Sequence, residues 1–477
     1  MKQQRKVSMR GAAVIQFASK YTSLFVQLFI TAILARLLPP EDFGTLAIIL
    51  VFLNLFIPFA DMGIGAAIIQ YQDLDDRDYG ALFSFSIFFA IGLALLFCVA
   101  AIPISLFYSN EQLIPLCCLG SLSLLFATLN MVPNGLLLKG QYFLSIGVRL
   151  FVVTIVAGII AIVMAFAGWG VYALIWHNII AGIITFFWNY LTRPIRYFTI
   201  HFVASLKKVF SYSAFQFGSS MVNYFSTNLP NLIIGKVFGE ASLGFYDKAY
   251  RLTTYPLNGI SNVIISVIQP YMAKHQNDPG VLFSYWFKVA KFLSLVGVPI
   301  AAIFLCAPEE IVGIMYGDQW AAAVILLQLL AVSIYFQLVN SVAGAFFLSA
   351  GHADLLFRSV TASTILTVCG LGAGILLGSL EAVALCISIA FCLHVVPTAY
   401  FFINRTLGQR YRCLVHFLPE ISIGLVASGV CMLLAPFFPS QIVVSLLCKV
   451  AVIVVIVGLG YLFTKQYGYI KDVLRSR

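Results

Sequence analysis

The stretch GAAVIQFASKYTSLFVQLFITAILARLLPPEDFGTLAIILVFLNLFIPFADMGIGAAIIQ, residues 11–70, decides the fold class. It holds two apolar runs, near 10–36 and 43–69, each long enough for the ~20 residues a membrane-spanning helix needs. Twelve further runs follow, near 81–108, 112–138, 143–166, 169–191, 209–235, 244–271, 284–306, 320–348, 357–378, 381–403, 416–436 and 443–464. The 477 residues are 61% hydrophobic and 10% charged, against about 45–50% and ~25% in soluble proteins. That balance excludes a water-soluble enzyme, a disordered regulator and a fibre. The sequence predicts an all-α polytopic membrane protein with about 14 transmembrane helices.

The net charge of +10 belongs to loops rather than to a nucleic-acid face. All but six of the 28 Lys and Arg residues fall on one side of a fourteen-span register that begins inside; the six are Lys20, Arg36, Lys236, Lys248, Arg251 and Lys449. Basic loops mark the cytoplasmic side, so both termini are expected there. The run behind the basic start MKQQRKVSMR carries Gln16, Lys20 and Gln27 and no small-residue cleavage site, which fits a retained first span. The ten cysteines form no Cys-x-x-Cys pair and suit the burial of a small soft hydrophobe. Histidines lack ligand spacing, and neither a P-loop nor an H-E-x-x-H motif occurs, so no cofactor is expected.

A shift of 200 residues exposes an internal repeat. ILARLLPPEDFG (33–44) lies over IIGKVFGEASLG (233–244), pairing Arg36 with Lys236 and Gly44 with Gly244. Gln16, Lys20, Ser23, Gln27 and Thr31 form a narrow stripe at helical spacing, repeated as Gln216, Ser220, Asn223, Thr227 and Asn231. Polar stripes in a span face protein or water rather than lipid; the alternative is hydrogen-bond glue between helices. Six spans separate the copies, which predicts two like-oriented lobes with substrate between them. The expected divisions are an N-lobe at 1–192, a linker at 193–208, a C-lobe at 209–403, and two extra spans with a tail at 404–477. The basic, partly alternating linker suits a helix lying on the cytoplasmic face.

RLLPPEDFG (36–44), FADMGIGAAIIQ (59–70), LGFYDKAYRL (243–252) and QPYMAKHQND (269–278) resemble the polysaccharide-unit flippases. These are Wzx-type members of the multidrug/oligosaccharidyl-lipid/polysaccharide exporter superfamily, here most similar to its colanic-acid exporter and lipopolysaccharide-biosynthesis subgroup. The resemblance covers essentially the whole chain. It implies translocation of undecaprenyl-diphosphate-linked oligosaccharide repeat units across the bacterial cytoplasmic (inner) membrane, for exopolysaccharide, capsule or O-antigen, by alternating access. It further implies a monomer in membrane lipid, H⁺ or Na⁺ as candidate coupling ion, and a polysaccharide polymerase and chain-length machinery as candidate partners.

Such a substrate needs cations for its diphosphate and amide or hydroxyl groups for its sugars. A mid-bilayer charge costs ~2.5–3.5 kcal/mol and marks function. Lys20, about 15 Å into the first span, is the leading phosphate contact. Lys248 and Arg251 lie one turn apart on a face continued by Asn258, although Asp247 is placed to neutralise Arg251. Arg36 and Lys236 sit at outer helix ends, where they line the cavity or snorkel. Gln16, Gln27, Gln216, Asn223 and Asn231 complete the candidate cavity. Asp61, deep in the first lobe beside Pro58, Gly63 and Gly65, is the candidate coupling site or a hydrogen-bonding residue of the bend. Two other readings compete: an ion-coupled multidrug exporter of the same fold, which would favour acidic cavity residues, and a membrane polysaccharide polymerase or ligase, which would need a sizeable external loop.

Overall fold

Proline, glycine and capping residues set where the apolar runs begin and break. The computed structural model describes residues 9–71, 73–199, 201–272, 275 and 278–466; within them the side chains of 9–18, 70, 208–220, 222, 223, 225–227, 262, 263, 266–271 and 353 lie outside the description. Among the described residues the regular backbone is helical, with no strand. Two compact units divide at Met1–Gly244 and Phe245–Arg477.

The first unit holds α1 (Met9–Leu37), α2 (Pro40–Asp61), α3 (Ile64–Gln70), α4 (Asp76–Tyr108), α5 (Leu113–Leu129), α6 (Met131–Lys139), α7 (Phe143–Phe166), α8 (Val171–Thr192), α9 (Val203–Phe238) and the first turn of α10 (Glu240–Met272). Pro40 opens α2 at a position where its missing N–H costs nothing. Asp75 and Asp78 form a reciprocal capping box that starts α4. The expected second span is broken: Met62 and Gly63 turn left-handed between α2 and α3. Beyond that break Ile64, Ile68, Leu82, Phe83, Val132 and Leu136 close a core among α3, α4 and α6.

The second unit continues α10 and adds α11 (Pro279–Cys306), α12 (Pro308–Met315), α13 (Ala321–Asn340), α14 (Ala343–Ser349), α15 (Ala353–Leu376), α16 (Leu380–Leu393), α17 (Val395–Thr398), α18 (Leu418–Leu433) and α19 (Ile442–Phe463). A π-helical turn spans Ala399–Thr406 and a 3-10 segment spans Tyr411–Phe417. Helix α11 is its centre, packed on α13, α18 and α19.

Twelve helical segments among the described residues are long and apolar enough to cross a bilayer. Helices α9 and α10, the expected seventh and eighth of fourteen spans, are 36 and 33 residues long, and the side chains in stretches of both lie outside the described residues. One other expectation differs from the structure. The 193–208 linker is not one helix: residues 194–199 are non-helical, and α9 starts at Val203. The segment straps onto α4. A Cβ on Gly80 would lie 2.3 Å from the Tyr197 carbonyl oxygen, the Thr199 N–H donates to Ser84 Oγ at 3.1 Å, and Ser205 Oγ donates to Asp78 Oδ1 at 2.7 Å. The Thr199 bond gives a side-chain partner to a backbone N–H that no helix satisfies there. The boundary of the compact units falls at 244/245, and α9 packs on α2, α3 and α4. The described residues from 404 to 466 lie in the second unit.

Two buried ion pairs make that last attachment. Lys291 of α11 pairs with Glu420 of α18, at 1% and 0% side-chain exposure, and Lys291 also donates to the His416 carbonyl. Lys449 of α19 pairs with Glu310 of α12 at 2.6 Å, and Ser445 Oγ donates to the same carboxylate oxygen at 2.6 Å. Lys291→Met alone strands a buried carboxylate and is expected to cost about 3–5 kcal/mol, whereas Lys291→Met with Glu420→Leu is expected to recover most of it. Thermal melting of the purified variants measures both, and equal losses in the single and double variants would contradict the pairing.

The repeat has a local structural counterpart inside the first unit. A Cβ on Gly44 would lie 1.8 Å from the carbonyl oxygen of residue 240, and a Cβ on Gly244 would lie 2.3 Å from that of residue 40. The contact is reciprocal under the offset of 200: α2 and α10 cross through their paired glycines at backbone contact distance. Glu240 locks the crossing by accepting Thr45 Oγ1 and Asn110 Nδ2, both at 2.5 Å. Gly44→Ala is expected to destabilise the chain by about 1–3 kcal/mol through overpacking. Gly92→Ala in α4, where nothing lies within 4 Å, is expected to melt at or slightly above the wild-type temperature.

Candidate functional site

Helix α1 packs its Ile30 side against α7, where Gly158 admits it. That seat orients the other faces. Lys20 and Gln27, seven residues and so about 20° apart, are both exposed, and among the described residues neither has a hydrogen-bond or ion-pair partner. Between them Ser23 is buried, its Oγ unpaired. Phe25 and Phe29 project from the opposite face, 69% and 68% exposed, as side chains in contact with lipid tails do. Helix α1 therefore has one polar open face and one apolar open face.

The other candidates do not all join Lys20. Arg36 is exposed but lies sixteen residues on, about 160° around the helix, with Phe25 and Phe29. The side chains of Gln16, Gln216 and Asn223 lie outside the described residues. Asn231 is half-buried. Lys236 is exposed, yet it donates to the Phe107 carbonyl at the end of α4 and stands 5.1 Å from the Phe107 ring centroid. A cation there satisfies a terminal carbonyl and the negative end of a helix dipole.

In the second unit Lys248 is 6% exposed, its Nζ 5.8 Å from the Tyr316 ring centroid, a desolvated cation–π seat. Arg251 forms the ion pair that its spacing from Asp247 allowed, Nε to Oδ2 at 2.7 Å, and still leaves 45% of its side chain exposed. Asn258, about 20° from Arg251 on the wheel, is exposed as well. Arg251 and Asn258 thus share an open face of α10 that buried Lys248 does not reach.

Asp61 ends α2 at the break. Its carboxylate accepts the backbone N–H groups of Gly63 and Gly65, which caps the first turn of α3. The residue is exposed, so the cap leaves it open to the surroundings. The geometry gives Asp61 a hydrogen-bonding role in the bend and leaves the residue exposed. Sequence reasoning did not single out Glu310, Lys291 and Glu420, and marked Lys449 only as a basic residue off the expected cytoplasmic side. Nothing in one dimension says which of these charges meet. Among the described residues no group of three or more His, Cys, Asp or Glu could hold a metal ion.

Residues 33–325 match the model of a polysaccharide biosynthesis protein family. The chain belongs to that family. Within it, the teichuronic acid biosynthesis protein TuaB of Bacillus subtilis is 26% identical over 78% of this chain and 78% of its own. The lipopolysaccharide biosynthesis protein WzxC of Escherichia coli is 25% identical over 80% of this chain and 78% of its own. Among solved structures, the lipid II flippase MurJ in an inward closed conformation superposes with a TM-score of 0.74 at 16% identity, covering 97% of this chain and all of its own. An inward-facing multidrug transporter gives 0.62 at 15% identity, over 83% and 98%. At such identities the superpositions establish the fold alone: the chain is folded as MurJ and that multidrug transporter are. The match begins close to Arg36 and takes in Asp61, Lys248 and Arg251, whereas Lys20 precedes it.

Asp61→Ala removes the cap and is expected to cost about 0.5–2 kcal/mol of stability, while Asp61→Asn retains an oxygen acceptor and is expected to stay near wild type. Melting temperatures of the two variants decide whether the side chain holds the bend.

Proposed function

We propose that this chain is a flippase that carries undecaprenyl-diphosphate-linked oligosaccharide repeat units across the bacterial cytoplasmic membrane by alternating access. The observation that carries the reading is the open face of α1. Among the described residues the Lys20 ammonium has no partner; such a charge in a membrane helix costs free energy unless something meets it, and a diphosphate is the partner of opposite charge that this substrate brings. Gln27 on the same face offers a carbonyl and two N–H donors to sugar hydroxyls. Arg251 and Asn258 repeat the pairing of cation and amide on α10. The apolar faces of the helices leave the polyprenyl tail in lipid throughout. Family membership, and relatives named for lipopolysaccharide and teichuronic acid synthesis, support a surface-polysaccharide role; MurJ, a lipid II flippase by name, shares the fold.

In this reading the protein is a transporter that catalyses no bond chemistry, with both termini in the cytoplasm. The chain carries no nucleotide-binding motif, so the drive comes from ion exchange or from the membrane potential, which supplies about 2.3 kcal/mol per charge per 100 mV. Asp61 is the proposed exchange site. A multidrug exporter of the same fold would present acids to cationic drugs; the unpaired charge on α1 has the opposite sign.

A flipping assay with a defined lipid-linked glycan in proteoliposomes tests the assignment. Lys20→Ala is expected to slow flipping at least tenfold, equivalent to about 1.4 kcal/mol, with Lys20→Arg close to wild type. Unchanged flipping by Lys20→Ala would remove Lys20 from the substrate path. In the same assay, Asp61→Asn flipping at the wild-type rate with the same response to an imposed proton or sodium gradient would remove Asp61 from coupling.

A further inference from the structure

Arg149 belongs to no element of the proposed path, and the structure gives it an arrangement that packing alone does not require. It lies in α7, six residues and about 9 Å from the start of the helix. Three asparagines from the neighbouring helices converge on it: Asn130 at the junction of α5 and α6, Asn134 in α6 and Asn189 in α8. Arg149 Nη1 donates to Asn189 Oδ1 and, at 3.4 Å, to Asn134 Oδ1. Asn189 Nδ2 in turn donates to Asn130 Oδ1 at 2.8 Å and Asn134 Oδ1 at 3.5 Å. Asn189 is 0% exposed. The guanidinium is therefore drawn inward to a buried amide, the reverse of a side chain snorkelling to the interface.

All the acceptors in this cluster are neutral. Among the described residues no carboxylate pairs with Arg149, although Lys291, Lys449 and Arg251 each have one. Both Nη1 hydrogens are used, whereas Nε and Nη2 have no protein acceptor among the described residues. Those two nitrogens form the edge that binds a phosphate or carboxylate with two parallel hydrogen bonds. Arg149 is half-buried, so this edge is not sealed off. Around it on α7 the side chains of Leu144, Val148, Leu150 and Phe151 are exposed, an apolar border of the kind that acyl or prenyl chains cover. A charge fixed in place, uncompensated by the protein and bordered by lipid-facing residues, is matched by an anion that arrives attached to a hydrocarbon tail.

We propose that Arg149, set by Asn134 and Asn189, is a binding site for the phosphate of a membrane lipid at the end of the first unit where α7 begins. The chemistry is shared by an anionic bilayer phospholipid and by the diphosphate of a polyprenyl carrier. The site rests on the first unit alone and does not depend on Lys20 or on transport.

Asn134→Asp provides the discriminating variant. It keeps the oxygen that accepts from Arg149 and Asn189 and supplies an internal counter-ion, so the cluster stays bonded while the need for an external anion disappears. Arg149→Gln is the second variant. Native mass spectrometry of the delipidated full chain is titrated with phosphatidylglycerol, undecaprenyl diphosphate and, as reference, phosphatidylcholine. Wild type is expected to retain one of the first two at least tenfold more tightly than either variant does, with the lipid-free Asn134→Asp chain melting no lower than wild type. Preference for phosphatidylglycerol identifies a bilayer lipid, and preference for undecaprenyl diphosphate identifies the carrier. Equal retention of both lipids by wild type and both variants overturns the proposal, as does wild-type retention no tighter than that of phosphatidylcholine.

Discussion

A charge cannot rest in hydrocarbon alone, and that constraint sorts nearly every ionisable side chain of this protein. Lys291 and Glu420 neutralise each other out of reach of water, and Lys449 and Glu310 do the same for the last helix. Lys236 is spent on the carbonyl end of α4, Asp61 on the amide end of α3, and Lys248 on the Tyr316 ring. Each of these groups has a structural use that accounts for its presence. Lys20 has none among the described residues, and Arg149 is held only by neutral amides. The functional proposals fall on these two residues because no described carboxylate balances their charge.

The same constraint explains the attachment of the C-terminal helices. Two helices with apolar surfaces gain little from associating in lipid, since hydrocarbon tails are as apolar as leucine. Their ion pairs with α11 and α12, together with the Tyr461 hydroxyl on the Leu295 carbonyl at 2.7 Å, give α18 and α19 a specific seat. Around those bonds Ile423, Ala427, Ile453 and Val457 complete a packed core with Leu295, Val298 and Ala302.

Close backbone approach plays the matching part in the first unit. Gly44 and Gly244 let α2 and α10 touch, Gly158 lets α1 sit on α7, and Gly80 lets the non-helical linker cross α4. None of these glycines sits in a left-handed conformation; each is needed because a side chain would occupy space that a neighbouring backbone or side chain already fills. The reciprocity of the first contact gives physical meaning to a repeat whose sequence identities are few. The two copies share the glycine at the crossing, while the residues those glycines meet, Glu240 and Pro40, differ.

Residue order alone was enough to specify a helical membrane protein, the position of most spans, the bend near Asp61 and the equivalence of Gly44 with Gly244, because hydrophobic run length, proline and glycine act locally along the chain. The family was legible for the same reason, in short motifs around helix ends. Tertiary structure decided which charges meet. Lys291 and Glu420 are separated by more than a hundred residues, and only packing brings them together. It also decided that Lys248 is enclosed while Arg251 keeps an exposed side chain, and that the non-helical residues 194–199 lie along α4. Those outcomes depend on the direction a side chain faces once its helix has neighbours, which no one-dimensional pattern contains.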